Sequence, residues 1–189
     1  MSGKFKVKPD AVKERLIGLS GLSTDVFRAF ANKGADRLIR NYKQGIKRDA
    51  LGLRPLSGET IEAKQKKGMP QPSTPLYGHG ARDDKSLFNA LIKRRIKNGI
   101  QVEARKALHQ ASRIPLDVML ALHAKGFSFT SPSGRMIHVP PRPALRVAID
   151  ITLQEQSLKT DSQKIKREIS KFISTGDRAG LRRMTKALT

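Results

Sequence analysis

One amphipathic stripe constrains this chain more than any other feature. Across residues 23–50, Val26, Phe27, Phe30, Ala31, Leu38, Ile39, Tyr42 and Ile46 recur at helical spacing, and Arg28, Lys33, Arg37, Arg40, Lys43 and Lys47 occupy many of the remaining positions. That pattern predicts a long helix with one buried face. Ser23 or Thr24 is the expected cap, and Gly52 lies just past the expected end. A shorter helix is expected before it, capped by Asp10, carrying Val12, Leu16 and Leu19, and broken at Ser20-Gly21.

The middle of the chain changes character. A short helix is predicted over about 58–67, with Ser57 as its cap and Gly68 as its stop. The proline- and glycine-rich stretch 68–85 reads as a loop, mobile or ordered only by a partner. Within 86–107, a helical start near 85–90 is expected to run into a hairpin that turns at Lys97-Asn98-Gly99, with Ile96 opposite Ile100. Pro115 opens a helix that Gly126 closes, and Phe127–Phe129 and Met136–Val139 flank a turn at Pro132-Ser133-Gly134. A helix over about 143–157 should place Leu145, Ala148, Ile149, Thr152 and Leu153 on one face. Thr160 or Asp161 should cap a helix bearing Ile165, Ile169, Phe172 and Ile173 that ends at Gly176, and Asp177 a last one bearing Leu181, Met184 and Leu188. The expectation is therefore an α+β domain over 1–157, with a loop at 68–85, and a helical C-terminal arm over 158–189.

Charge narrows the function classes. Lys and Arg number 38 against 16 Asp and Glu, a net +22 spread along the whole chain. Such an excess favours a polyanion nearby, nucleic acid above all, or an acidic protein partner. With no Trp and two Tyr there is no aromatic stacking platform, so contact with DNA would be to phosphates, without sequence readout. The absence of Cys excludes disulfides and thiolate metal sites, and the four His have no compact ligand spacing. No metal or cofactor is expected. No apolar run reaches the about 20 residues that span a bilayer. The opening MSGKFKVKPD lacks the apolar stretch of a secretion signal, so synthesis in the cytosol is expected.

Several residues stand out locally. Lys93, Arg94, Arg95 and Lys97 form the densest basic cluster, to be read as a phosphate-contacting face or as a solvated one. His123 precedes the Gly126 stop without a Ser, Asp or Glu at catalytic spacing, which favours a helix-end packing role. Arg142, between Pro141 and Pro143, is held on stiff backbone and suits a hydrogen-bonding anchor between elements or subunits, or a solvated loop position. Tyr77-Gly78-His79-Gly80 lacks the Lys-Ser/Thr of a phosphate-binding loop. Nothing recommends an enzyme.

Four stretches, in order, resemble the phage virion-morphogenesis and tail-completion family. Arg54-Pro55-Leu56-Ser57-Gly58-Glu59-Thr60 with Lys64 is similar to its Pro-Leu-Ser block behind a long helix. Pro75-Leu76-Tyr77-Gly78-His79-Gly80, followed by Ser86, Leu87 and Leu91, looks like its Thr-Gly-x-Leu block with His79 in place of Thr. Leu120 through Gly126 is close to Tyr-Ala-x-x-His-x-x-Gly with Leu120 for Tyr, and Val139 through Leu145 is close to Ile-Pro-x-Arg-Pro-Phe-Leu with Ala144 for Phe. The resemblance spans about 23–155. It implies helices packed on a small antiparallel sheet, and a structural subunit that forms a ring, commonly of about six copies, at the tail end or head–tail joint. Its partners would be further copies of itself, neighbouring neck, connector and tail-tube proteins, and DNA phosphates in the channel. The virion would be its location, reached by assembly in the host cytoplasm. His123, Gly126, Arg142 and Pro143 would then be structural or interface anchors, and 68–85 and 158–189 the segments that grip neighbours. A basic, sequence-independent nucleic-acid-binding protein is the alternative that charge alone supports equally well.

Overall fold

The computed structural model describes residues 9–77, 85–97, 99–109, 112–131 and 133–188, with side chains from residue 24 onward. The fold is α+β, with six helices and two small antiparallel two-stranded sheets among the described residues. In chain order the elements are α1 (Pro9–Lys47), α2 (Gly58–Lys66), β1 (Leu91–Ile96), β2 (Gly99–Ala104), α3 (Leu116–Lys125), β3 (Phe127–Thr130), β4 (Met136–Val139), α4 (Ala144–Gln154), α5 (Gln156–Thr175) and α6 (Ala179–Leu188). The chain divides into two compact units. One comprises residues up to 35, 95–100 and 154–189; the other comprises 36–94 and 101–153.

Helix α1 is one helix of 39 residues, where the sequence signals predict two. It is already helical at Pro9, the first described residue, so Asp10 lies inside the helix, as do Ser23 and Thr24. The Ser20-Gly21 pair does not break it. Leu19, Leu22 and Val26 carry the three-to-four spacing across the pair, and the roughly 1 kcal/mol that an interior glycine costs is small beside a continuous apolar stripe. The helix ends through a tight turn in which Ala50 N–H reaches Gly45 O at 2.8 Å, and Gly52 takes a positive φ.

In the first unit, Val26 and Ala29 of α1 pack with Ile165 and Phe172 of α5 and with Leu181 and Leu188 of α6. Lys33 meets Asp161 at 2.9 Å. The segment expected as a C-terminal arm is thus two helices that share a core with α1. Helix α5 starts four residues before the expected Thr160 cap, and Ile173 is exposed because Phe172 takes the buried position. The expected ends hold: Gly176 is left-handed, and Asp177 Oδ1 accepts the Ala179 N–H at 2.8 Å.

The second unit is built around Tyr42 and Ile46 of α1, with Leu51, Leu53, Tyr77, Phe88, Leu91, Ala144 and Ala148. Tyr42 is fully buried, and its hydroxyl donates to Leu87 O at 2.7 Å. Burial raises its pKa well above the usual phenol value. Thr74 and Pro75 are buried, and the Tyr77 ring meets Phe88 edge-on at 5.0 Å. Within the 68–85 loop, residues 74–77 thus reach the core, whereas Gly68, Pro70, Ser73 and Lys85 are exposed. Gly78, His79, Gly80, Asp83 and Asp84 lie outside the described residues. Helix α4 ends at Gln154 and buries Ala144, Ala148 and Thr152, four residues apart, which turns Leu153 out to 67% exposure.

Both hairpins form. A single turn of 3-10 helix at Leu87–Asn89 leads into β1. Strand β1 ends at Ile96 and β2 already begins at Gly99, so the connection is one residue shorter than expected. In the second hairpin Phe127 pairs with Val139 and Phe129 with Ile137.

Candidate functional site

The quoted motif stretches meet in the second unit, around Arg142. Its side chain is 6% exposed. Nε donates to Arg54 O at 3.1 Å and Nη2 to Pro55 O at 3.3 Å, while its backbone N–H donates to His123 O at 2.6 Å. One residue thereby ties the segment after α1, the end of α3 and the start of α4. The planar fork of guanidinium suits this, because it reaches two successive carbonyls that a single ammonium cannot serve equally. Burial, with the Arg54 charge nearby, lowers the Arg142 pKa. Lys64 donates to Thr74 O at 2.7 Å, and burial with the Arg142 charge lowers its pKa too. Pro143 O accepts the Val147 N–H in the first turn of α4.

Gly126 closes α3 at φ 78°, ψ 158°, a conformation nearly restricted to glycine. A Cβ there would stand 2.9 Å from Pro141 Cδ and 3.0 Å from both Pro141 N and Val139 O. His123 packs edge-on against Phe127 at 5.3 Å, and its buried Nδ1 has no hydrogen-bond partner among the described residues. His123 and Arg142 also line a cleft of about 320 Å³ with Leu76, Leu91, Leu120 and Leu145. The carboxylates of Glu103 and Asp117 line it as well, and among the described residues no group of three His, Asp or Glu could hold a metal ion. The arrangement is a brace between elements.

Burial lowers the His123 pKa from 6.5 to about 4, aided by the charges of Arg142 and His109. The fold therefore favours neutral imidazole, and the unfolded chain binds more protons between pH 4 and 6.5. Stability from this group is full above the upper limit and falls as pH drops through the window. Part exposure trims the effect to about 1–2 kcal/mol between pH 7 and 5. Urea unfolding of the wild type and His123→Gln at the two pH values checks this: the wild type should lose that much more than the variant. Equal losses would refute it.

The basic cluster on β1 is exposed but not a single patch. Alternation along the strand sends Lys93 and Arg95 to one side and Arg94 to the other, with Lys97 in the turn. Lys93 Nζ meets Asp36 at 2.7 Å, and Arg94 lies 3.8 Å from Glu103. Missed from sequence were the Arg54 and Pro55 carbonyls, which carry no residue-type signal, and the ion pair of Arg135 with Glu59 at 2.9 Å. Among the described residues no helix is long and apolar enough to cross a membrane. Comparison with family models, with curated proteins and with solved structures finds no match to this chain.

Proposed function

We propose that this chain is a structural subunit of a tailed-phage particle, forming a ring at the tail end or head–tail joint around the DNA passage. The observation that carries the reading is the meeting of the four motif stretches. Arg54 and Pro55, Leu76, His123 and Gly126, and Arg142 and Pro143 are far apart in sequence yet serve one brace and the cleft beside it. Residues that jointly hold a shape fit a scaffold whose work is assembly, and in this reading the chain performs no catalysis. A closed ring needs two different faces on each subunit. The cross-strand pair Phe129 and Ile137, 45% and 37% exposed, is apolar surface of the kind that subunit contacts cover. Neck, connector and tail-tube proteins would be the other neighbours, the virion the final location, and a channel through the ring gives the +22 charge a polyanion to face.

The second reading, a sequence-independent nucleic-acid-binding protein, draws on that same charge. Native mass by light scattering at low and high salt separates the two. The expected result is one species of about six copies that persists at high salt. A monomer at both salts, shifting only when nucleic acid is added, would overturn the ring in favour of the second reading.

A further inference from the structure

We propose that helix α6 is a nucleic-acid-binding surface that grips the phosphates of duplex DNA or RNA. Helix α6 has two distinct faces. Leu181 and Leu188 are buried against Val26 and Ala29 of α1 and Ile165 and Phe172 of α5, with Met184 packed beside them. Outward stand Arg182, Arg183 and Lys186, all exposed, with exposed Arg178 one residue before the helix. Arg178, Arg182 and Lys186 are spaced four residues apart, a line about 12 Å long with Arg183 beside it.

The ten residues of α6 contain no acid. Asp177 is occupied by the Ala179 N–H and lies 3.8 Å from Lys171, and Glu168 lies against Gly180. Arg178, Arg182 and Arg183 have no acidic partner among the described residues. Like charges one turn apart repel, and Arg178 and Arg182 near the helix N-terminus oppose its dipole, so an anion outside would relieve both. The β1 cluster differs here, since Asp36 and Glu103 already face Lys93 and Arg94.

The partner's class follows from the same geometry. An amphipathic basic helix could lie on an anionic membrane, but that requires its apolar face, which the core already holds. A duplex offers about seven phosphates in 12 Å of its axis, a density that matches a line of cations. α6 carries no aromatic residue for stacking unpaired bases, which favours a duplex over a single strand. The inference does not rest on ring formation, because a single subunit would bind a duplex in the same way.

The test uses the full chain and a short random-sequence duplex, with binding read by fluorescence anisotropy across a salt series. Four phosphate contacts give a log–log salt slope of about −3.6, an affinity loss of about 150-fold between about 50 and 200 mM salt. Neutralising Arg178, Arg182, Arg183 and Lys186 to Gln should reduce the measured slope by about that amount. The matching Lys93, Arg94, Arg95 and Lys97 variant should keep most of it. Changing the three arginines to Lys should preserve binding, since phosphates accept either cation, and circular dichroism confirms that each variant folds. An unchanged slope in the α6 variant would overturn the proposal, as would equal loss in both neutralised variants. So would binding confined to phosphatidylserine-containing vesicles or to an acidic protein.

Discussion

Arg142→Ala is expected to destabilise the second unit by about 3 kcal/mol. The guanidinium donates to two carbonyls, Arg54 O and Pro55 O, from a side chain 6% exposed. A hydrogen bond from a charged donor contributes about 1.5–3 kcal/mol, and water reaching the exposed Arg54 and Pro55 offsets part of the loss of two. For a chain of this length that loss corresponds to a fall in Tm of about 6–12 °C. Arg142→Lys should recover little, because one ammonium cannot hold the fork that spans both carbonyls. Urea unfolding measures the size of the effect, and amide exchange across 54–57 and 123–126 locates it. A loss below about 1 kcal/mol would mean that the carbonyls find other donors, and the brace would not depend on Arg142. On the ring reading, a subunit with a slack brace should also assemble poorly at temperatures where it is still folded.

The elements legible in the sequence are those whose signals are local. Ser57 caps α2 through the Thr60 N–H, Gly126 and Gly176 close helices, and the apolar alternation of Phe127–Phe129 against Met136–Val139 pairs as expected. The departures share a different origin. Ser20-Gly21 is a local break signal, overridden by the long stripe on either side. Pro75 and Tyr77 sit in a stretch whose prolines and glycines read as loop, yet their burial depends on Phe88 and α1, which no window around residue 75 contains. Leu153 turns away from its expected face because Thr152, a polar residue, takes the inward position, where its hydroxyl bonds Ala148 O and accepts from Asn41. The brace shows the same limit. Arg142 between two prolines reads as an anchor, but its partners are backbone carbonyls 87 and 88 residues away, and any residue type can present a carbonyl. The stripe on α6 was readable, since ten residues without an acid and with Arg and Lys one turn apart form a plain pattern. It was hidden by a net charge so large that no basic segment stood out.

Gly126→Ala tests the other half of the brace and should cost about 3–4 kcal/mol. Two penalties act together. The backbone at φ 78°, ψ 158° lies where a side chain is rarely tolerated, at about 1–3 kcal/mol. The added Cβ would also meet Pro141 N and Val139 O at 3.0 Å, and both are backbone atoms that cannot swing aside as a flexible side chain could. Pro141 stiffens that segment further by fixing φ, so relief would have to come from moving α3 away from the end of β4. Gly134 offers a comparison with a positive φ and open space around it. Its φ is 80° but nothing stands within 4 Å of the place an alanine methyl would take, so Gly134→Ala should cost only about 1–2 kcal/mol. Urea midpoints for the two variants should therefore differ clearly, with Gly126→Ala the lower. Equal costs would show that the close approach of Pro141 is soft. The geometry predicts a further asymmetry between the variants. Gly126 joins α3 directly to β3 and abuts the exit of β4, so its replacement should disturb the setting of the whole hairpin, with exposed Phe129 and Ile137. Gly134 lies at the tip, where a strained turn can relax without moving the strand roots. If subunit contacts use that apolar pair, Gly126→Ala should lower ring formation at temperatures where the helices remain intact, and Gly134→Ala should not.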